Sequence, residues 1–481
     1  MSVSPRWLGR IGKQSSARAW HSIVGPVDLR AAPPTHVQYG YRALHCLLLR
    51  KVCFSLDSRL PVIACNFEYA SWKPSSCEEK HQQQAIHFSY YSPAKQFLLV
   101  AMLVSTTFIR RLLTLLPIVS SATCATTLPK PSGPFDVYYN TAKMVDGGRI
   151  DPFDPKKGHR AVMTSIYLPV RCRVDLQSIA YLPPKTAEVE SEIFAVYGLP
   201  NGTLQSLELQ VCPGPLRSQL REAEQRPVVI FSPAQNSPRH LYGLIAQAVA
   251  SYGYIVVSID HPYDADVVEF PDGSTVHAID FTDEQIPVDV DTRAGDVSFV
   301  LNQLSCPGSV KDLLPGSKGL KTNKVAMFGH SLGGAAAAQA MLRDKRIVGG
   351  INLDGSFFST VVKKGLDRPF LIFGHENKTQ ATDPSWAETW SHLRSWKLEL
   401  GLAKSQHYTF SDLPALLNLL EAPKEILEAA SGRVGTLDGL RALDIVQTYV
   451  VAFLDLVLRH KNPKILHHAV AEFPEVSIID K

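Results

Sequence analysis

The chain has 481 residues, 45% hydrophobic and 20% charged, with 49 Lys and Arg against 45 Asp and Glu for a net charge of +4. That composition excludes a fibrous or low-complexity chain, and the length allows several domains or one large α/β fold. Residues 1–101 carry 12 basic and 5 acidic residues, leaving 37 against 40 for 102–481. The basic excess therefore lies outside the part that carries the motifs below. No aromatic-interleaved basic patch accompanies it, which argues against nucleic-acid binding.

The first 24 residues hold Arg6, Arg10, Lys13 and Arg18, several serines and no acid, a composition of transit-peptide type. Residues 25–96 show no sustained helical or strand period. From Met102 the pattern changes. Arg110 and Arg111 form a charged n-region, Leu112–Val119 an apolar h-region, and Ser120–Ala125 a run of small residues suited to signal cleavage. The resulting plan is a basic extension of unassigned fold over 1–101, with Met102 as the functional start, and a signal peptide over 102–125. A Pro-rich linker over 126–136 leads into one catalytic domain over 137–481. This makes the protein secreted; a mitochondrial or membrane-anchored form starting at Met1 is the alternative.

Of eight cysteines, only Cys172, Cys212 and Cys306 lie in the body of the chain, and none forms a C-x-x-C pair. Zinc and thioredoxin-type chemistry therefore have no support. A Cys172–Cys212 disulfide and three separate thiols fit equally well. Sequons occur at Asn201 and Asn377 and matter only in a secreted protein.

Apolar runs predict strands over 161–168, 227–232, 254–260, 325–328, 348–353, 368–373 and 396–400. Helices are predicted over 242–251 and 291–304, with a C-terminal one over 440–458. Strands that are apolar throughout and alternate with helices specify a mostly parallel sheet covered on both faces. Reactive groups in such sheets collect at the carboxyl ends of the strands.

Gly329-His330-Ser331-Leu332-Gly333-Gly334 falls between one of these strands and a helix-forming alanine run. A G-x-S-x-G pattern with those flanks is a nucleophile elbow, its glycines required by the tightness of the turn. The helix start places the Leu332 N–H where it can stabilise an oxyanion. A serine nucleophile needs a base, and the base needs an acid to orient it, in the order Ser, acid, His. Asp354 closes the next strand and is the first choice of acid; Glu376, one strand later, is the alternative. For the base, His407 follows the last strand and is preferred over His375, His392, His460, His467 and His468. His375 lies too near the Glu376 strand end. His261, at another strand end, reads as a structural histidine.

Phe231–Gln235, the 329–334 elbow, Leu353-Asp354-Gly355 and Ser405–Asp412 stand in an order and spacing that resemble the secreted-type platelet-activating-factor acetylhydrolases, especially fungal ones. The helix at Asp291–Leu301 fits as well, and the resemblance spans roughly 130–481. It implies an α/β-hydrolase fold with Ser331 as nucleophile, Asp354 as acid, His407 as base and backbone N–H groups of Leu332 and Gln235 as the oxyanion hole. It implies no metal or other cofactor, and a phospholipid or other small ester as substrate. Pro233–Pro238 departs from the Gly-rich loop of the animal enzymes, which puts the acyl preference in question. Leu413–Leu420 reads either as a lipid-docking helix or as one packed on the sheet. The alternatives in function are an esterase or acyltransferase acting on another small ester, lactone or polyester, and an inactive lipid carrier.

Overall fold

A computed structural model describes residues 125–481 except Leu216. The expectations for the basic extension and for all but the last residue of the signal peptide lie outside the described residues. Strands run as β1 (Thr126–Thr127), β2 (Asp136–Ile150), β3 (His159–Val170), β4 (Gln177–Ala180), β5 (Leu207–Val211), β6 (Val228–Ser232) and β7 (Ile255–Asp260). They continue as β8 (Val267–Glu269), β9 (Thr275–His277), β10 (Val325–His330), β11 (Ile347–Leu353), β12 (Phe370–Gly374), β13 (Lys397–Leu402) and β14 (Val476–Asp480). The helices that matter for the site are α1 (Pro184–Ala195), α2 (Gly243–Ser251), α3 (Ile286–Ser305), α4 (Leu332–Arg343), α5 (Leu413–Leu419), α6 (Lys424–Val434) and α7 (Gly439–Arg459).

Nine strands form one sheet in the order β14-β13-β12-β11-β10-β6-β7-β3-β2. The six strands from β13 to β7 are parallel to one another, and antiparallel strands close both edges. Strand residues alternate between two cores because successive side chains point to opposite faces. Val229, Phe231, Ala326 and Phe328 enter one core, with α2 and α7; Val228, Ile230, Val325 and Met327 enter the other, with α3 and α4. This is the α/β-hydrolase architecture. β6 and β10 are neighbours, yet the chain leaves β6 toward β7 and leaves β10 toward β11. The connections part there, so a crevice opens at the carboxyl ends of β6 and β10.

Residues 126–136, read from the sequence as a linker, lie against the domain. Thr126 and Thr127 pair with Leu207 and Glu208, and Leu128 is fully buried. The stretch has little periodicity because it adds an edge to a small sheet rather than crossing the core. The Leu413–Leu420 run forms α5, with Pro414, Ala415 and Leu416 buried and Leu413, Leu417, Leu419 and Leu420 half-buried. Among the described residues no helix is long and apolar enough to cross a membrane.

Cys172, just past β3, is bonded to Cys212, just past β5, and Cys306 is free and exposed. The bridge closes a loop with a sequence separation of 40. Restricting that loop in the unfolded chain is worth about 2–4 kcal/mol. Replacing both cysteines by serine should therefore lower the urea midpoint and, because the unfolded chain is freed to expand, raise the m-value. An unaltered midpoint would show that the bridge contributes nothing to stability.

Candidate active site

Ser331 sits between β10 and α4 at φ 55°, ψ −123°, a conformation costly for a residue with a side chain. The surroundings over-determine it. A β-carbon at Gly329 would run into the Gly333 carbonyl, and one at Gly333 into the carbonyls of Ser232 and Pro233. The elbow can approach the loop after β6 this closely only without those side chains. Ser331 N–H donates to Leu353 O at 2.8 Å, which ties the serine to the end of β11.

The next residue on β11's exit turn is Asp354, fully buried, with φ 64°. Asn352 steadies that turn through two hydrogen bonds with the backbone of Gly355. His407 opens a short 3₁₀ turn after β13, anchored by a reciprocal Gln406–Thr409 cap and by Thr409 Oγ1 donating to Val434 O at 2.8 Å. These turns bring three side chains into line. His407 Nδ1 lies 2.5 Å from Asp354 Oδ2, and His407 Nε2 lies 2.9 Å from Ser331 Oγ. Burial pushes the Asp354 carboxyl up, but hydrogen bonds from His375 and His407, with the Lys378 charge, outweigh it and hold the group below the usual carboxylate range. An ionised Asp354 fixes the His407 tautomer with Nδ1 protonated, leaving Nε2 free to accept the serine proton.

His375 has a place that the sequence reading dismissed. Its Nδ1 lies 2.7 and 2.8 Å from the two Asp354 oxygens, and its backbone N–H donates to Oδ1 at 2.8 Å. Leu353 pairs with Phe373 in the parallel β11–β12 register, so the two exit turns are side by side. The available signal was that Asp354 and His375 each directly follow one of two consecutive strands, β11 and β12. Glu376 is exposed, with its backbone N–H on Ser405 Oγ, and is not the carboxylate beside His407. His392 caps the end of a helix over Pro384–Ser391, with Nδ1 on Glu388 O.

The loop after β6 faces the elbow, and nearly all of its polar groups are tied down. Pro233 O accepts from Arg293 Nη1 at 2.6 Å, Ala234 N–H donates to the Tyr242 hydroxyl at 3.2 Å, and Asn236 N–H donates to Asp264 O at 3.0 Å. Asn236 Nδ2 donates to Asp266 at 3.2 Å. The N–H of Gln235 has no acceptor in the described residues, and neither has that of Leu332. Two unclaimed donors on facing turns are what an oxyanion hole requires.

Behind this loop lies a second Ser-His-Asp array with no access to solvent. His261 Nδ1 lies 2.8 Å from Asp296 Oδ2 and its Nε2 2.9 Å from Ser232 Oγ, while Arg293 Nη1 donates to the same hydroxyl at 3.1 Å. Asp296 is also forked by Arg160. Fully buried and out of reach of any substrate, His261 is a structural histidine, as the sequence suggested.

His330, Asp354 and His407 form the one cluster among the described residues with metal-ligand proximity. Its nitrogens are already engaged: His407 spans Asp354 and Ser331, and His330 spans the Tyr242 hydroxyl and the His407 carbonyl. The hydrogen bonds, rather than an ion, account for the proximity.

Two measurements probe this geometry. His375→Ala should leave Asp354 held only by His407 and the backbone N–H of residue 375, and lower kcat about 10- to 100-fold with KM little changed; an unaltered kcat would remove the His375 ring from the site. Burial pushes His261 down to about 4, outweighing the hydrogen bond to Asp296. The unfolded chain then binds a proton that the native state refuses, so stability falls as pH drops from about 6.5 toward 4, by about 3 kcal/mol from this residue. Urea midpoints at pH 7.5 and 4.5 should differ less in His261→Gln than in the parent, and an equal difference would contradict the assignment.

A family described as platelet-activating factor acetylhydrolase, isoform II, matches residues 125–270 and 312–467. A probable 1-alkyl-2-acetylglycerophosphocholine esterase from Arthroderma benhamiae is 31% identical over 388 residues, covering 76% of this chain and 96% of its own length. The platelet-activating factor acetylhydrolase of Cavia porcellus is 26% identical over 272 residues, covering 51% of this chain and 61% of its own. Among solved structures, a ferulic acid esterase from Streptomyces cinnamoneus aligns with a TM-score of 0.63 at 28% identity, covering 74% of this chain and 100% of that one. The chain belongs to the platelet-activating factor acetylhydrolase isoform II family and is a carboxylic ester hydrolase of the α/β-hydrolase fold.

Proposed function

We propose that this protein is a serine esterase that hydrolyses the short sn-2 acyl ester of platelet-activating factor-like or oxidised phospholipids. Ser331 is the nucleophile, His407 the base and Asp354 the acid, with the oxyanion received by the N–H groups of Leu332 and Gln235. The observation that carries the reading is the 2.9 Å approach of His407 Nε2 to Ser331 Oγ, with the other ring nitrogen on a buried carboxylate.

Ser331 Oγ attacks the ester carbonyl as its proton passes to His407 Nε2, and the carbonyl oxygen becomes an oxyanion. Asp354 then faces an imidazolium, which it stabilises. Collapse breaks the bond to the glycerol oxygen, which leaves with the proton from His407. Water, giving its proton to the same nitrogen, attacks the acyl-enzyme and releases the carboxylic acid and the serine hydroxyl. The Arthroderma relative, matched over nearly its whole length, supports the choice of substrate.

The reading extends to a secreted protein that touches lipid surfaces transiently. The Cys172–Cys212 bridge suits an oxidising compartment. Leu413, Leu417 and Leu420 share an apolar pocket with Phe194, Tyr197 and Tyr408, next to the base. A second reading, an esterase for small or aromatic esters, is favoured by the likeness to the ferulic acid esterase.

Turnover of glycerophosphocholines with graded sn-2 chains, with calcium chelated, tests these readings together. The expected result is fast release of acetyl and other short acyl groups, a steep fall with chain length, and a loss of about 10⁴-fold or more in Ser331→Ala. Cleavage of nitrophenyl acetate or a ferulate ester without any phospholipid would select the second reading. No turnover and no labelling of Ser331 by a fluorophosphonate would leave a lipid carrier.

A further inference from the structure

His330, the residue before the serine, is fully buried and so is Tyr242, yet each is a polar side chain with every polar atom in use. The Ala234 N–H donates to the Tyr242 oxygen at 3.2 Å, and the Tyr242 hydroxyl lies 2.8 Å from His330 Nδ1. His330 Nε2 lies 2.8 Å from the carbonyl oxygen of His407. A carbonyl can only accept, so Nε2 carries the proton, Nδ1 is the acceptor, and the tyrosine hydroxyl must donate to it. The direction of every bond follows. The chain of bonds starts one residue from Gln235, passes through the elbow and ends on the main chain of the base.

We propose that Tyr242 and His330 are positioning residues that couple the oxyanion loop to the catalytic base, so that Gln235 N–H and the His407 ring are held in register as one unit. The proposal rests on the roles given above to Ser331, His407 and Gln235. Three separate turns supply those groups: the exits of β6, β10 and β13. The bonds to Ser331 Oγ and Asp354 Oδ2 hold the two ring nitrogens of His407 but not the main chain that carries the ring. The His330 bond fixes the main chain beneath that ring, and the ring centroids of His330 and His407 are 4.7 Å apart. On the other side, Tyr242 Oη fixes the peptide that precedes Gln235. Tyr242 also packs on Phe231 of β6, with ring centroids 4.9 Å apart. His330 is kept neutral: burial, then the neighbouring His407 charge, push it well below the ordinary histidine value. Protonation would turn Nδ1 into a donor facing a donor and break the chain of bonds.

The side-chain amides offer a dissection. Asn at position 330 presents its terminal atoms where Nδ1 lies and Gln where Nε2 lies. His330→Asn thus retains a partner for Tyr242 and loses the bond to the His407 carbonyl, whereas His330→Gln retains that bond. Tyr242→Phe removes one oxygen and leaves the ring packing. The test is a double-mutant cycle on kcat, with each protein's active fraction counted by fluorophosphonate titration of Ser331, so that misfolded molecules do not enter the rates.

The expected result is a loss of about 10-fold in kcat for Tyr242→Phe and about 10- to 100-fold for His330→Asn, each with KM within about twofold. His330→Gln should lose less than His330→Asn, and the Tyr242→Phe/His330→Asn double variant much less than the product of the single losses. In ¹⁵N-histidine spectra His330 should be protonated at Nε2 in the parent and shift toward a tautomer mixture in Tyr242→Phe. Multiplicative losses, a loss confined to KM, equal losses for Asn and Gln, or an unchanged tautomer in Tyr242→Phe would each overturn the coupling. Failure of the parent protein to react with the fluorophosphonate would instead strike the assignment of Ser331.

Discussion

The interaction on which the structure depends is the bond between a buried, ionised Asp354 and His407. A carboxylate removed from water is costly unless its oxygens are met by donors. Here the donors are two imidazoles and a backbone N–H: His375 after β12 supplies one ring and the N–H, and His407 after β13 supplies the other ring. Satisfying one charge therefore fixes the relative placement of the turns after β11, β12 and β13. The elbow joins the same cluster through the bond from Ser331 N–H to Leu353 O.

The opposite wall of the crevice is built by a different solution to the same problem. Arg160, Arg239 and Arg293 are fully buried, and each is paired with a buried aspartate: Asp296, Asp260 and Asp264 respectively. Such pairs add little net stability over apolar packing, but removing one partner strands a charge. Their effect is directional. Arg293 grips both the Ser232 hydroxyl and the Pro233 carbonyl, and Arg239 the Ser165 hydroxyl. The loop carrying Gln235 is thereby held against the elbow, and the Gln235 N–H has no acceptor in the described residues. Two preorganised walls meeting at Ser331 are what electrostatic stabilisation of an oxyanion needs, since donors that are already aimed need not reorganise during the reaction.

Much of this was legible in the sequence because the central strands are apolar on both faces. Val228–Phe231, Ile255–Val257 and Val325–Phe328 read as buried strands, and the first and last of them lead into the Gln235 loop and the Ser331 elbow. β2 was not recognised, for a physical reason. As an edge strand it buries only Val137, Ala142 and Met144 while exposing Lys143, Val145 and other side chains, so its pattern never becomes continuous. β14 is likewise an edge strand, with only Val476 buried. The elbow and the residues on the exits of β11 and β13 could be chosen by position alone. The role of His375 is hidden in the sequence because it rests on closeness in space to Asp354 across the paired ends of β11 and β12, 21 residues apart in the chain. Tyr242 and His330 were invisible for a related reason: a buried polar side chain shows its role only through its partners, and those lie 8, 77 and 88 residues away.

The account makes the crevice between β6 and β10 a preformed oxyanion site served by Ser331. The most direct measurement is a crystal structure of the protein after reaction with a short-chain fluorophosphonate. The account predicts phosphorus bonded to Ser331 Oγ, with the phosphoryl oxygen about 2.7–3.1 Å from the N–H groups of both Leu332 and Gln235. His407 Nε2 should stay beside the former serine oxygen and Asp354 should remain bonded to both histidines. A phosphoryl oxygen turned to solvent, or a Gln235 loop displaced to admit the adduct, would contradict it.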